Sequence, residues 1–117
     1  DRSMNSIVHW EIPSTDLARS QAFYEALFGW EFEGFSPEYV MFEVEDGVGG
    51  ALQLIDEMRG PGIEIYIDVD SIPAMLARVE ELGGSVAQPK TEIGGGMGYW
   101  AAFLDPCGCR MSVWSKS

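Results

Sequence analysis

The stretches DLARSQAFYEALFG at residues 16–29 and DSIPAMLARVEELG at residues 70–83 decide how this chain folds. Each opens on an acid and closes on a glycine, and they lie 54 residues apart, close to half of the 117-residue chain. An alternating run precedes each, IVHWEI or IEIYIDV, and several short extended runs follow. Self-similarity at a fixed spacing takes precedence over local signals, and a solenoid needs about three repeats. Two copies therefore read as the halves of one domain, facing each other across a shared groove.

Working outward, residues 7–12 alternate with period two, Val8, Trp10 and Ile12 on one face and Ile7, His9 and Glu11 on the other, which predicts a half-buried strand. Ser14, Thr15 and Asp16 offer N-cap oxygens. Leu17, Tyr24 and Leu27/Phe28 recur at helical spacing, and Gly29 supplies a left-handed stop. Extended runs follow at 30–35, 39–45 and 50–55, and EMRGPG at 57–62 reads as the loop joining the halves. In the second copy, residues 63–69 alternate, Asp70 or Ser71 caps a helix, and Pro73 falls in its first turn, where a missing N–H costs little. Ile72, Met75/Leu76, Val79 and Leu82 form its apolar stripe, and extended runs follow at 85–92, 99–104 and 110–114. Asp105-Pro106-Cys107-Gly108 reads as a tight turn.

The order is βαβββ, twice. We expect an α+β fold in a single domain spanning 4–117, with tandem modules at about 7–56 and 63–115. One helix covers one sheet face, so pairing the modules gives one curved mixed sheet, a half-barrel around a cleft, with the helices on its outer face. Asp1 to Ser3 precede Met4 and read as a cloning remnant.

Seven Lys and Arg against nineteen Asp and Glu give a net charge of −12 and a pI near 4.2. Nucleic acids require a basic footprint, and none is present. The acidity reads either as solubility or as a field that attracts cationic ligands. No apolar run approaches the roughly 18 residues of a membrane span, and the N-terminus lacks the order of a signal peptide. A soluble, cytoplasmic protein is expected. Cys107 and Cys109 form no disulfide framework and read as free thiols.

HWEIPSTDLARSQAFYEALFGWEF at the start and DPCGCRMSVW at the end make the duplication resemble the vicinal oxygen chelate superfamily. That superfamily includes glyoxalase I, extradiol dioxygenases and bleomycin-resistance proteins. The resemblance spans essentially residues 7–115 and implies a small-molecule site in the cleft and a homodimer. In its metal-binding members four side chains converge from the first and last strands of each module. By position the resemblance maps these to His9, Gln53, Glu64 and Ser112. Ser112 stands where glyoxalases and extradiol enzymes carry Glu, and the chain has a single His, so a two-His iron triad cannot be assembled.

Strand parity is an independent guide. If His9 faces the cleft, so do Glu11, Gln53, Glu64, Tyr66, Arg110, Ser112 and Trp114. His9 is then a hydrogen-bonded neighbour-positioning residue, a general base, or a ligand with Gln53 and Glu64 for a divalent metal (Ni, Zn, Mn or Fe). Glu11 and Glu64 are the candidate catalytic carboxylates. Two carboxylates in one cleft repel and need a metal, Arg110, a protonated His9 or water. Tyr66, Arg110, Ser112 and Trp114 are expected to line a ligand pocket.

Three functions follow. The first is a glyoxalase-like lyase or isomerase acting on a carbonyl or enediolate oxygen, with or without a metal. The second is a bleomycin-resistance-like binder that sequesters a cationic aromatic compound without chemistry. The third is an interaction module with a vestigial cleft.

Overall fold

A computed structural model describes residues 4–58 and 62–117. Asp1 to Ser3 and the centre of the expected joining loop lie outside the described residues. The elements follow the expected order: β1 (Ile7–Ser14), α1 (Leu17–Phe28), β2 (Glu31–Ser36), β3 (Tyr39–Glu43), β4 (Gly50–Leu54), β5 (Glu64–Asp68), α2 (Ile72–Glu81), β6 (Ser85–Glu92), β7 (Tyr99–Leu104) and β8 (Arg110–Ser115). The class is α+β.

The chain divides into two compact units. One holds His9–Glu64, and the other joins the residues up to Val8 with Ile65–Ser117. In the His9–Glu64 unit the strand order is β2-β3-β4-β1. β1 runs parallel to β4, with Glu11 level with Ala51 and Pro13 level with Gln53. β3 pairs antiparallel with β4, which sets Tyr39 beside Gln53 and Met41 beside Ala51. Only glycine fits at position 50, because a Cβ there would lie 2.1 Å from the Trp10 carbonyl oxygen. Asp16 caps α1 by accepting from Arg19 N at 3.1 Å, and Gly29 closes it at φ +73°. Buried Ser14 ties β1 to that helix, its hydroxyl 2.6 Å from the Ser20 hydroxyl.

Ile12, Phe42 and Leu52 form the buried centre of this unit, with Trp10, Leu17, Tyr24, Trp30 and Phe32 packed against it. Trp10 and Ile12 therefore turn toward the helix, as the alternation predicts. The last turn of α1 departs from the expected stripe: Leu27 and Phe28, like Phe23, are exposed. Tyr24 packs against the buried centre, while Phe28 lies over Trp30 at 4.9 Å between centroids.

In the other unit the order is β5-β8-β7-β6. β5 runs parallel to β8, with Tyr66 level with Ser112 and Asp68 level with Trp114. β7 pairs antiparallel with β8, with Ala102 beside Ser112 and Trp100 beside Trp114. Asn5 and Ser6 flank the end of β5, Asn5 N donating to Asp68 O at 2.7 Å and Asp68 N to Ser6 O at 2.8 Å. Ser71 rather than Asp70 is the α2 cap, accepting from Ala74 N at 3.2 Å. Val69, Ile72, Ala101 and Val113 are the buried core, with Ile67, Met75, Leu76 and Phe103 against it. Leu82, expected in the stripe, is exposed at the C-cap.

The Asp105–Gly108 turn forms as expected. Asp105 Oδ1 accepts from Cys107 N at 2.8 Å and Cys109 N at 2.9 Å, and both thiols are free and exposed. No helix among the described residues is long and apolar enough to cross a membrane.

Candidate active site

β1 alternates strictly, so with Trp10 and Ile12 turned to the helix, His9 and Glu11 share the opposite face. Tyr39 shares that face through the register. It is level with Gln53, which is level with Pro13, two residues beyond Glu11. Its phenol leans back along the strands toward β1. There the hydroxyl meets both β1 groups. It lies 2.8 Å from His9 Nε2 and donates to Glu11 Oε2 at 2.6 Å. The imidazole nitrogen and that carboxylate oxygen are 3.7 Å apart, and the two side chains retain 24% and 16% of their exposure.

The proton positions follow from the inventory of donors. An ionised carboxylate only accepts, and a phenol has a single hydrogen. With Glu11 ionised, the Tyr39 hydrogen goes to Glu11 and the Tyr39 oxygen accepts from His9 Nε2–H. The three residues form a directed chain, imidazole to phenol to carboxylate. A hydrogen bond to a charged acceptor is about twice as strong as a neutral pair, so the short contact to Glu11 holds the chain's orientation. The Tyr39 and His9 rings stack at 6.4 Å between centroids.

This arrangement places the expected residues unevenly. His9 and Glu11 come together. Gln53 lies level with Pro13, four residues beyond His9, which at about 3.3 Å per residue is roughly 13 Å along the strand. Its amide nitrogen donates to the carbonyls of Glu38 and Leu54 at 3.4 and 3.3 Å. Glu64 opens β5 and is half-buried. Ser112 is buried beside Tyr66, on the face opposite the core residue Val113. Arg110, at the head of β8, is exposed. The Trp114 indole donates to Met97 O at 2.8 Å and packs so tightly on Gly98 that a Cβ there would lie 2.8 Å from the ring. Tyr39 escaped the sequence reading. Alternation in YVMFEVE fixes its face, but only the pairing register shows that it reaches His9 and Glu11.

Gln53 is displaced along its strand and turned to backbone carbonyls. Among the described residues no group of three or more His, Cys, Asp or Glu could hold an ion.

The comparisons with known proteins agree with the fold. A family model described as bleomycin resistance protein-like N-terminal matches residues 6–45, the segment that carries His9, Glu11 and Tyr39. The anthracycline biosynthesis protein DnrV of Streptomyces peucetius is 30% identical over 126 residues, covering 92% of this chain and 46% of that protein. The Mn(II)-bound glyoxalase of Novosphingobium aromaticivorans superposes with a TM-score of 0.72 at 27% identity, over 97% of this chain and 39% of that one. A glyoxalase/bleomycin resistance protein/dioxygenase superfamily member from Vibrio splendidus superposes with a TM-score of 0.68 at 22% identity, over 93% and 96%. These matches support the resemblance to the vicinal oxygen chelate superfamily. The chain spans about half the length of the curated relative named above. These likenesses support a small-molecule role of isomerase, lyase or binding type, and no particular activity.

Proposed function

We propose that the chain is a glyoxalase-like isomerase or lyase acting on a small α-hydroxycarbonyl compound, with Glu11 as the proton-transferring carboxylate. The observation that carries the reading is the directed chain from His9 through Tyr39 to Glu11. Glu11 takes the proton from the carbon next to the carbonyl, and the released electron pair moves to the carbonyl oxygen, giving an enediolate. Once protonated, Glu11 no longer needs the Tyr39 hydrogen. The phenol then turns it toward the new oxyanion while still accepting from His9, so the charge is met by a donor already in place. Tyr39 gives its hydrogen to the oxyanion and takes up the substrate's hydroxyl proton, and return of the carbon-bound proton from Glu11 to the neighbouring carbon completes an isomerisation that consumes no co-reactant.

Deuterium uptake from D2O into hydroxyacetone, followed by proton NMR, tests this directly. General acid–base catalysis contributes about 10²- to 10⁴-fold, so Glu11→Gln is expected to lose at least a hundredfold in exchange. Unchanged exchange in that variant rejects the reading. Glu64→Gln, run in parallel, shows whether the β5 carboxylate shares the work.

A second reading, a binder without chemistry, draws on the bleomycin resistance-like match over residues 6–45 and the charge of −12. It predicts tight uptake of a cationic aromatic compound that weakens steeply with salt, since attraction is screened over about 8 Å at physiological ionic strength.

A further inference from the structure

β2 does not keep its alternation to the end. Phe32 is level with Phe42, Glu33 with Met41 and Gly34 with Val40. Regular pairing would next set Phe35 beside Tyr39, but Ser36 takes that place, and the register shifts between Gly34 and Ser36. Phe35 is the extra residue. Such an insertion bends the strand and re-aims a side chain, and it recurs beside active sites. Here the Phe35 ring stands edge-on to Tyr39, with centroids 6.0 Å apart and planes at 72°. Tyr39 in turn stacks on His9. The Phe35 ring remains 57% exposed, although Phe32, three residues earlier, is packed in the core.

Single exposed apolar residues are ordinary on protein surfaces. This one differs in standing against the phenol that carries the proton chain. We propose that Phe35 is a specificity residue: its ring packs against an aromatic group on the substrate, so that the carbonyl carbon attached to that group is held beside Tyr39 and Glu11. The inference rests on the proposed proton-transfer reading and adds the substrate class, an aryl-bearing α-hydroxycarbonyl compound. Edge-to-face and offset packing of aromatic pairs favours an aryl group over an alkyl group of similar polarity.

The test uses two probes, 2-hydroxyacetophenone and hydroxyacetone, against the wild type, Phe35→Ala and Phe35→Trp. Affinities come from NMR titration and exchange rates from deuterium uptake. The wild type is expected to bind the aryl probe at least tenfold more tightly than the alkyl probe. Phe35→Ala is expected to remove most of that preference, and Phe35→Trp to keep it, with all three proteins unfolding at the same urea concentration. The selectivity ratio is the deciding readout, because a structural role would weaken both probes together. Equal affinity of the wild type for the two probes overturns the proposal, as does a ratio unmoved by Phe35→Ala or failure of the aryl probe to bind. The Glu11→Gln exchange result is read separately: if it matches the wild type while the aryl preference follows Phe35, the proton-transfer reading fails and the aromatic subsite stands.

Discussion

In the His9–Glu64 unit the helix and sheet close on stacked rings, whereas in the Ile65–Ser117 unit they close on aliphatic side chains. Phe42 touches Trp30 at 4.6 Å, Trp10 at 5.4 Å and Phe32 at 5.6 Å between centroids. Its counterpart core is Val69, Ile72, Ala101 and Val113. The opposite sheet faces differ as well. The caps Asp16 and Ser71 lie 55 residues apart, which makes Glu64 the counterpart of His9, Tyr66 of Glu11 and Asp68 of Pro13. Following the registers from there, Ser112 stands for Ala51, Trp114 for Gln53 and Trp100 for Tyr39. One scaffold thus carries an imidazole–phenol–carboxylate chain in one unit. At the same places the second repeat carries two carboxylates, Glu64 and Asp68, with a phenol, a hydroxyl and two indoles. The backbone plan specifies where side chains converge, and the residue types alone decide whether the convergence can move a proton.

The largest effect expected from this contrast is on stability. Phe42→Ala removes the hub of the aromatic core, at 3% exposure, and is expected to cost about 4 kcal/mol, including the pairwise ring contacts. Val113→Ala, in the aliphatic core, is expected to cost about 2 kcal/mol, from two lost methyls plus a partly collapsed cavity. Urea midpoints at constant slope measure both. Equal losses would show that the rings fill space and nothing more.

The next effect is on rate. Tyr39→Phe keeps the ring and removes the hydroxyl that links His9 to Glu11, so deuterium exchange into hydroxyacetone is expected to fall about a hundredfold. Trp100→Phe alters the equivalent position of the other unit and is expected to leave exchange within about threefold. A comparable fall in both would break the claim that the proton-moving set belongs to the His9–Glu64 unit.

Much of this was legible in the chain itself. The βαβββ repeat, the strand spans and the opposite facing of His9 and Trp10 all follow from period-two alternation and helix punctuation. What alternation cannot supply is register. It places Gln53 on the same face as His9 without revealing that they sit at different levels, and it cannot show that Tyr39 leans back to Glu11. It also assumes an unbroken strand, so the register shift at Phe35 is invisible. The helical stripe has a similar blind spot. Spacing puts Leu27, Phe28 and Leu82 in line with the core, but burial depends on what packs opposite, and all three are exposed.

The smallest effect probes the alignment of the two units. Read from acid to acid, Asp16 to Asp70, the repeat is 54 residues; read from cap to cap it is 55. The difference matters because strand faces alternate. An offset of 54 would pair His9 with Ile63 and Trp10 with Glu64, setting a core side chain against a polar one. An offset of 55 pairs Trp10 with Ile65 and His9 with Glu64. A lost N-cap costs about 1 kcal/mol, whereas an exposed substitution away from such a feature stays within about 0.5 kcal/mol. Asp16→Ala and Ser71→Ala are therefore each expected to lower stability by about 1 kcal/mol, and Asp70→Ala to leave it nearly unchanged. If Asp70→Ala proves the costlier of the two α2 variants, the acid-to-acid alignment holds and the matching of Glu64 to His9 and Tyr66 to Glu11 collapses with it.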